Sequence, residues 1–193
     1  PVLWVDALYE KVRVDGRIVS MAILIVCGVD ENGHRDIITV EPMAEESKSS
    51  YGVLFQNLKD HGLFTPKLII SDAHSGLVSA IRESFPSASW QRCKVHFMRN
   101  ILVYVPQKEK KAFAETLKEI WLVPTAEFAR KQAYDVIDSY AKRFPNESSY
   151  VRLVTTYLME YAEDWSVSRN PLRQLCSLLL NFIFSGALFA NIT

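Results

Sequence analysis

Apolar residues near the start of the chain recur with the two-residue period of β-strands, whereas those after about Pro106 recur with helical spacing. Val2-Leu3-Trp4-Val5 is a continuous apolar run broken by Asp6. Leu8, Glu10, Val12 and Val14 then alternate with Tyr9, Lys11 and Arg13, so residues 2–14 read as one strand. Asp15-Gly16 is a two-residue hairpin signal. Arg17 to Val26 is the second strand, Asn32-Gly33 a further tight turn, and Arg35 to Val40 the third strand. Three antiparallel strands in a meander follow from this pattern.

The period changes after residue 46. Ser47 or Ser49 can cap a helix bearing Tyr51, Leu54, Phe55 and Leu58, which His61-Gly62 ends. Lys67 to Ser71 is a short buried strand stopping at Asp72, Ser75 to Ser84 a helix, and Ser89 to Val95 a further strand. This order predicts an α/β fold: a mixed sheet with helices packed on it. Lys108–Trp121, Thr125–Phe144 and Ser148–Tyr161 have helical apolar spacing, with Thr125 a cap for the second.

The 193 residues suffice for a sizeable core without disulfides or metal, and the composition is that of a globular protein, with 49% hydrophobic and 23% charged residues. The three cysteines, Cys27, Cys93 and Cys176, are widely spaced and read as free thiols in a reducing compartment. No signal peptide is expected at the front. The late apolar stretch Leu175 to Ala190 is interrupted by Asn181, Ser185 and Gly186, so no membrane segment is expected. The net charge is zero but unevenly spread: residues 1–91 carry 8 Lys/Arg and 12 Asp/Glu, while 92–111 carry 6 basic residues and 1 acidic.

Asp6 within an apolar strand is costly unless it is paired, satisfied by a neighbouring group or bound to metal. Asp72 ends a buried strand, where ligand-binding residues gather in sheets with parallel neighbours, but an Asp there also suits a turn or helix cap. Two carboxylates from separate strands can meet across a cleft and hold divalent metal for phosphodiester chemistry. Cys93-x-x-His96 is half of a zinc pattern without a second half, and suits a packed Cys beside a hydrogen-bonded His. His74, two residues after Asp72, either borders the site or lies on a loop surface. The block Arg92, Lys94, Arg99, Lys108, Lys110 and Lys111, interleaved with Trp90, Phe97 and Tyr104, suits a phosphate backbone; a solvated helix face is the plainer alternative.

Three blocks resemble the mutator-type family of bacterial insertion-sequence transposases. Leu3-Trp4-Val5-Asp6-Ala7-Leu8-Tyr9-Glu10-Lys11-Val12-Arg13 is similar to the first-aspartate block. Ile70-Ser71-Asp72-Ala73-His74-Ser75-Gly76-Leu77 with Ala80-Ile81 is similar to the second. Gln91-Arg92-Cys93-Lys94-Val95-His96-Phe97-Met98-Arg99-Asn100 resembles the Cys-x-x-His signature. The resemblance covers about residues 1–164. It implies a ribonuclease H-like core with a helical insertion, and Asp6 and Asp72 as two members of an acidic triad binding Mg²⁺ or Mn²⁺. It implies cutting at transposon ends and joining of the freed 3′ hydroxyl to target DNA. Double-stranded DNA is then the partner, the bacterial cytoplasm and nucleoid the location, and homo-oligomerisation of the full-length protein an expectation.

The chain departs from that pattern at the third carboxylate. The family's Glu follows the helical insertion in a Thr-Thr-Asn-x-x-Glu block, and here no acidic residue follows Asp164. The family's amino-terminal end-binding region is missing too. The expectation is a transposase fragment, cut short or shifted out of frame near residue 165, that does not catalyse alone. It comprises a partial core over 1–105, a helical insertion over 106–164 and a divergent apolar tail over 165–193. The alternatives are a stand-alone ribonuclease H-like nuclease completed by Glu160 or Glu163, and a non-catalytic DNA-binding relic.

Overall fold

A computed structural model of the chain describes residues 1–43 and 45–143, which fall into two compact units, Pro1–Cys93 and the residues from Lys94 onward. The first unit is built on a five-stranded mixed sheet. Strands β1 (Val2–Val14) and β2 (Arg17–Val29) pair antiparallel along their whole length, from Val2 opposite Val29 to Val14 opposite Arg17. The turn joining them takes φ 49° at Asp15 and 77° at Gly16. Two successive positive φ angles match the right-handed twist of the flanking strands, which is why Asp-Gly occurs there. Strand β3 (Arg35–Met43) pairs antiparallel with β2 and shifts register at Val26/Cys27.

The chain then crosses to the other side of β1. Helix α1 (Lys48–Asp60) leads to β4 (Leu68–Ser71), which runs parallel to β1, and α2 (Ser75–Ser84) leads to β5 (Ser89–Arg92), parallel to β4. The sheet order is β3-β2-β1-β4-β5. Ser47 caps α1, its Oγ accepting from the Ser50 main chain at 3.1 Å, and His61 closes it with Gly62 at φ 93°. One face of the sheet carries Leu3, Val5, Ala22, Leu24, Val26 and Ile69 into a core with Tyr51 and Phe55 of α1 and Leu77 and Ile81 of α2. Burial of such side chains contributes about 1.5–3 kcal/mol each and fixes the register, since a one-residue slip would turn that set to water.

The structure corrects three strand ends. Strand β2 runs to Val29, three residues past its expected end. Strand β3 runs to Met43, three residues past its expected end at Val40. Strand β5 stops at Arg92 rather than Val95, and residues Lys94–Val103 form a helix, α3, that the strand reading missed. The Cys93 main chain still donates to Ser71 O at 2.6 Å, so the ladder closes there. Phe97 and Ile101, four residues apart and both buried, then give the segment a helical apolar face.

In the second unit, α3, α4 (Lys110–Leu122) and α5 (Ala126–Arg143) share a core of Phe97, Ile101, Phe113, Leu117, Ala133 and Tyr140, among others. Phe113 meets Tyr140 edge-on, with centroids 4.6 Å apart. Thr125 precedes α5, and its Oγ1 accepts from the Phe128 main chain at 3.3 Å, as expected of a cap. The helix expected at Ser148–Tyr161, with Glu160 and Glu163, and the tail over 165–193 lie outside the described residues. Among the described residues no helix is long and apolar enough to cross a membrane.

Candidate active site

The parallel ladder between β1 and β4 pairs Val2 with Leu68, Leu3 with Ile69, Trp4 with Ile70 and Val5 with Ser71. Asp6 and Asp72 are the next residue of each segment. Neighbouring strands lie about 4.8 Å apart, and the register leads the main chain from the last pair, Val5 and Ser71, directly into Asp6 and Asp72, the latter one residue past the end of β4. Asp6 remains within β1, opposite Ile25 of β2, and is half-buried. Alternation along β1 turns Leu3 and Val5 into the core and leaves Trp4 and Asp6 on the other face.

Burial pushes the Cys27 thiol above its ordinary value, and the negative charge of Asp6 adds to the shift. Cys27 pairs with Trp4, one diagonal step from Asp6 on the same face. Burial also pushes the Tyr51 phenol far up; its hydrogen bond to Glu46 and the charges of Glu46 and Asp72 add to this. Tyr51 has no exposed surface, and its hydroxyl donates to Glu46 Oε1.

Asp72 is held by both its main chain and its side chain. The main-chain N–H of His74 donates to Asp72 Oδ1 at 3.1 Å, an Asx-type turn. Ser71, buried at 1% exposure, donates from Oγ to the Asp72 carbonyl at 2.8 Å and accepts from Trp90 Nε1 at 2.9 Å. Asp72 therefore makes the turn, while His74 caps α2, its Nδ1 accepting from the Leu77 main chain at 3.4 Å. That acceptor role leaves the proton of the neutral ring on Nε2. His74 thus borders Asp72 as a structural residue.

The remaining signature residues are distributed over both units. Cys93 is a half-buried free thiol at the end of β5, and His96 lies in the first turn of α3. Arg92 is buried at 5% exposure, whereas Arg99, Lys108 and Lys111 are exposed and Lys94 and Lys110 half-buried. No group of three or more His, Cys, Asp or Glu able to hold a metal ion occurs among the described residues. Sequence reasoning missed the Trp90–Ser71 pair that holds the Asp72 main chain and the Tyr51–Glu46 pair, whose ring meets His74. The available signal was Tyr51 on the apolar face of α1, because a buried phenol needs a hydrogen-bond partner.

Residues 1–163 match the family described as "Transposase, Mutator family". The chain is 43% identical over 140 residues to the transposase for insertion sequence element IS256 in transposon Tn4001 of Staphylococcus aureus, covering 72% of this chain and 36% of that protein. It is 38% identical over 149 residues to the transposase for element ISRM5 of Rhizobium meliloti, covering 77% and 37%. It is 33% identical over 156 residues to the transposase for element IS1081 of Mycobacterium tuberculosis, covering 81% and 38%. The matched region is thus little more than a third of each of these relatives. A family match along most of its length, together with these identities, shows that the chain belongs to the mutator family of transposases.

Proposed function

We propose that this chain carries part of the ribonuclease H-like catalytic core of a DNA transposase, with Asp6 and Asp72 as its metal-binding carboxylates. The observation that carries the reading is the placement of both aspartates one residue beyond the last parallel pair, Val5 and Ser71. The donor set fits the cation: two carboxylates offer the hard oxygens that Mg²⁺ or Mn²⁺ prefers, and Mg²⁺ accepts one or two protein ligands with water for the rest. When bound, such an ion supplies Lewis acidity toward a phosphodiester oxygen and offsets phosphate charge.

The chain's own residues hold one carboxylate ready for that role. His74 N–H orients Oδ1 of Asp72, and the Trp90–Ser71 pair fixes the main chain that carries it. The antiparallel ladder with β2, which pairs Asp6 with Ile25, fixes the other backbone. The exposed cations Arg99, Lys108 and Lys111, with Lys94 and Lys110, bind double-stranded DNA through its phosphates. The DNA is that of transposon ends and target, which places the work at the bacterial nucleoid. A two-carboxylate site lacks the further anion that two adjacent metal ions call for, so the 193-residue chain binds metal without cutting.

The test is Mn²⁺ binding followed by electron paramagnetic resonance, with plasmid nicking read in parallel. Asp6→Asn and Asp72→Asn should each weaken binding, and neither they nor the parent chain should nick plasmid. Binding that survives both substitutions overturns the assignment of the carboxylates. Nicking by the parent that Asp72→Ala abolishes replaces the fragment reading with that of a complete nuclease.

A further inference from the structure

The residues behind Asp72 form a continuous chain of contacts reaching back to the start of α1. Glu46 accepts from the hydroxyl of Tyr51. The Tyr51 ring stands edge-on to the His74 imidazole, with centroids 5.9 Å apart and planes at 61°. His74 is tied at both ends: its Nδ1 accepts from Leu77 N–H, and its own N–H donates to Asp72 Oδ1. Gly76 lies close against the imidazole. A Cβ built there would lie 3.2 Å from His74 Cε1 and 3.1 Å from Lys48 N, so the turn after Asp72 is seated tightly against the first turn of α1.

We propose that Tyr51 is a positioning residue for Asp72: its ring braces His74, whose main-chain N–H aims the Asp72 carboxylate. This rests on Asp72 being a metal ligand. Three features of the structure support the role. Tyr51 has no exposed surface, so the ring cannot slide without opening the core. Its hydroxyl is engaged by Glu46 outside that core. The edge-on contact of the ring with His74 lies one hydrogen bond away from the Asp72 carboxylate. Groups that orient a ligand from behind commonly govern metal affinity as strongly as some ligands do.

The experiment compares Tyr51→Leu, Tyr51→Phe and Phe55→Leu in the full 193-residue chain. Phe55 is an equally buried residue of the same helix that packs on Phe85 rather than on His74. Tyr51→Leu should weaken Mn²⁺ binding about tenfold, while Tyr51→Phe, which keeps the ring, should return it to within about twofold of the parent. Phe55→Leu should lower thermal stability and leave Mn²⁺ affinity unchanged. Amide exchange by NMR gives a second, metal-free measurement. In Tyr51→Leu the His74 amide should exchange about tenfold faster relative to that of Ile81 in the same helix. An equal loss of affinity in Phe55→Leu, or an unchanged His74 amide in Tyr51→Leu, overturns the proposal. A parent chain that binds Mn²⁺ no better than Asp72→Asn overturns the metal-ligand reading instead, and the amide measurement still decides the brace.

Discussion

The indole of Trp90 donates to Ser71 Oγ at 2.9 Å, and the same hydroxyl donates onward to the carbonyl of Asp72 at 2.8 Å. One serine thus links β5 to the backbone of the candidate metal ligand. Ser71→Ala leaves a half-buried indole N–H without its acceptor, and the expected cost is about 1–3 kcal/mol. Urea unfolding followed by tryptophan fluorescence measures it. A stability within about 0.3 kcal/mol of the parent would show that the pair is not engaged in solution.

Gly16 occupies φ 77° in the β1–β2 hairpin, and no atom comes within 4 Å of a Cβ built there. The cost of a side chain is therefore conformational, not steric contact with neighbours. Gly16→Ala should destabilise by about 1 kcal/mol, and Gly16→Asn by less, because Asn tolerates the left-handed region. Thermal melts of the two variants check the order.

Asp30 sits in the turn between β2 and β3, and its carboxyl is held below its ordinary value, chiefly by the hydrogen bond from the His34 main chain. The His34 ring and the Asn32 main chain reinforce this. The ionised form is favoured by folding, so its contribution is present above the ordinary carboxylate pKa and is lost as pH falls through the lower folded value. A carbon-detected NMR titration should place the Asp30 midpoint below that of an aspartate in an unstructured peptide. Asp30→Ala should abolish this part of the acid-side loss of stability.

Phe113 is fully buried and anchors the helical unit edge-on against Tyr140. Phe113→Ala should cost about 3–5 kcal/mol through lost burial and the cavity left behind. Circular dichroism melts should show it. Lys118 on the same helix pairs with exposed Glu115, and Lys118→Ala should shift the melt little.

Features governed by neighbouring residues were legible in the sequence. Asp15-Gly16 announces its turn, Ser47 and Thr125 their caps, and the spacing of Leu54, Phe55 and Leu58 the buried face of α1. The helix at Lys94–Val103 was obscured because Lys94 and Val95 directly continue a strand, and the ladder's end at Cys93 depends on a carbonyl of Ser71, far away in the chain. Asp6 and Asp72 stood out in the sequence as interruptions of two apolar runs, and their meeting was an expectation, but the register that pairs Val5 with Ser71 was not legible, since register is a property of the pairing. Tyr51 read only as a core residue: a hydroxyl's partner is chosen by the fold, and Glu46 lies outside the helical pattern that made Tyr51 visible.

The parallel pairing of β1 with β4 also sets when the aspartate pair can exist. Between them the chain must make the hairpin, complete β2 and β3, lay down α1 and return along the opposite edge of β1. A nascent chain that has emerged only as far as β3 holds Asp6 in an antiparallel meander with no carboxylate beside it. Long-range parallel contacts form late because the loop entropy must be overcome before they stabilise anything. The aspartate pair therefore needs every element through β4, and a chain ending at β3 lacks it because Asp72 has not yet been made.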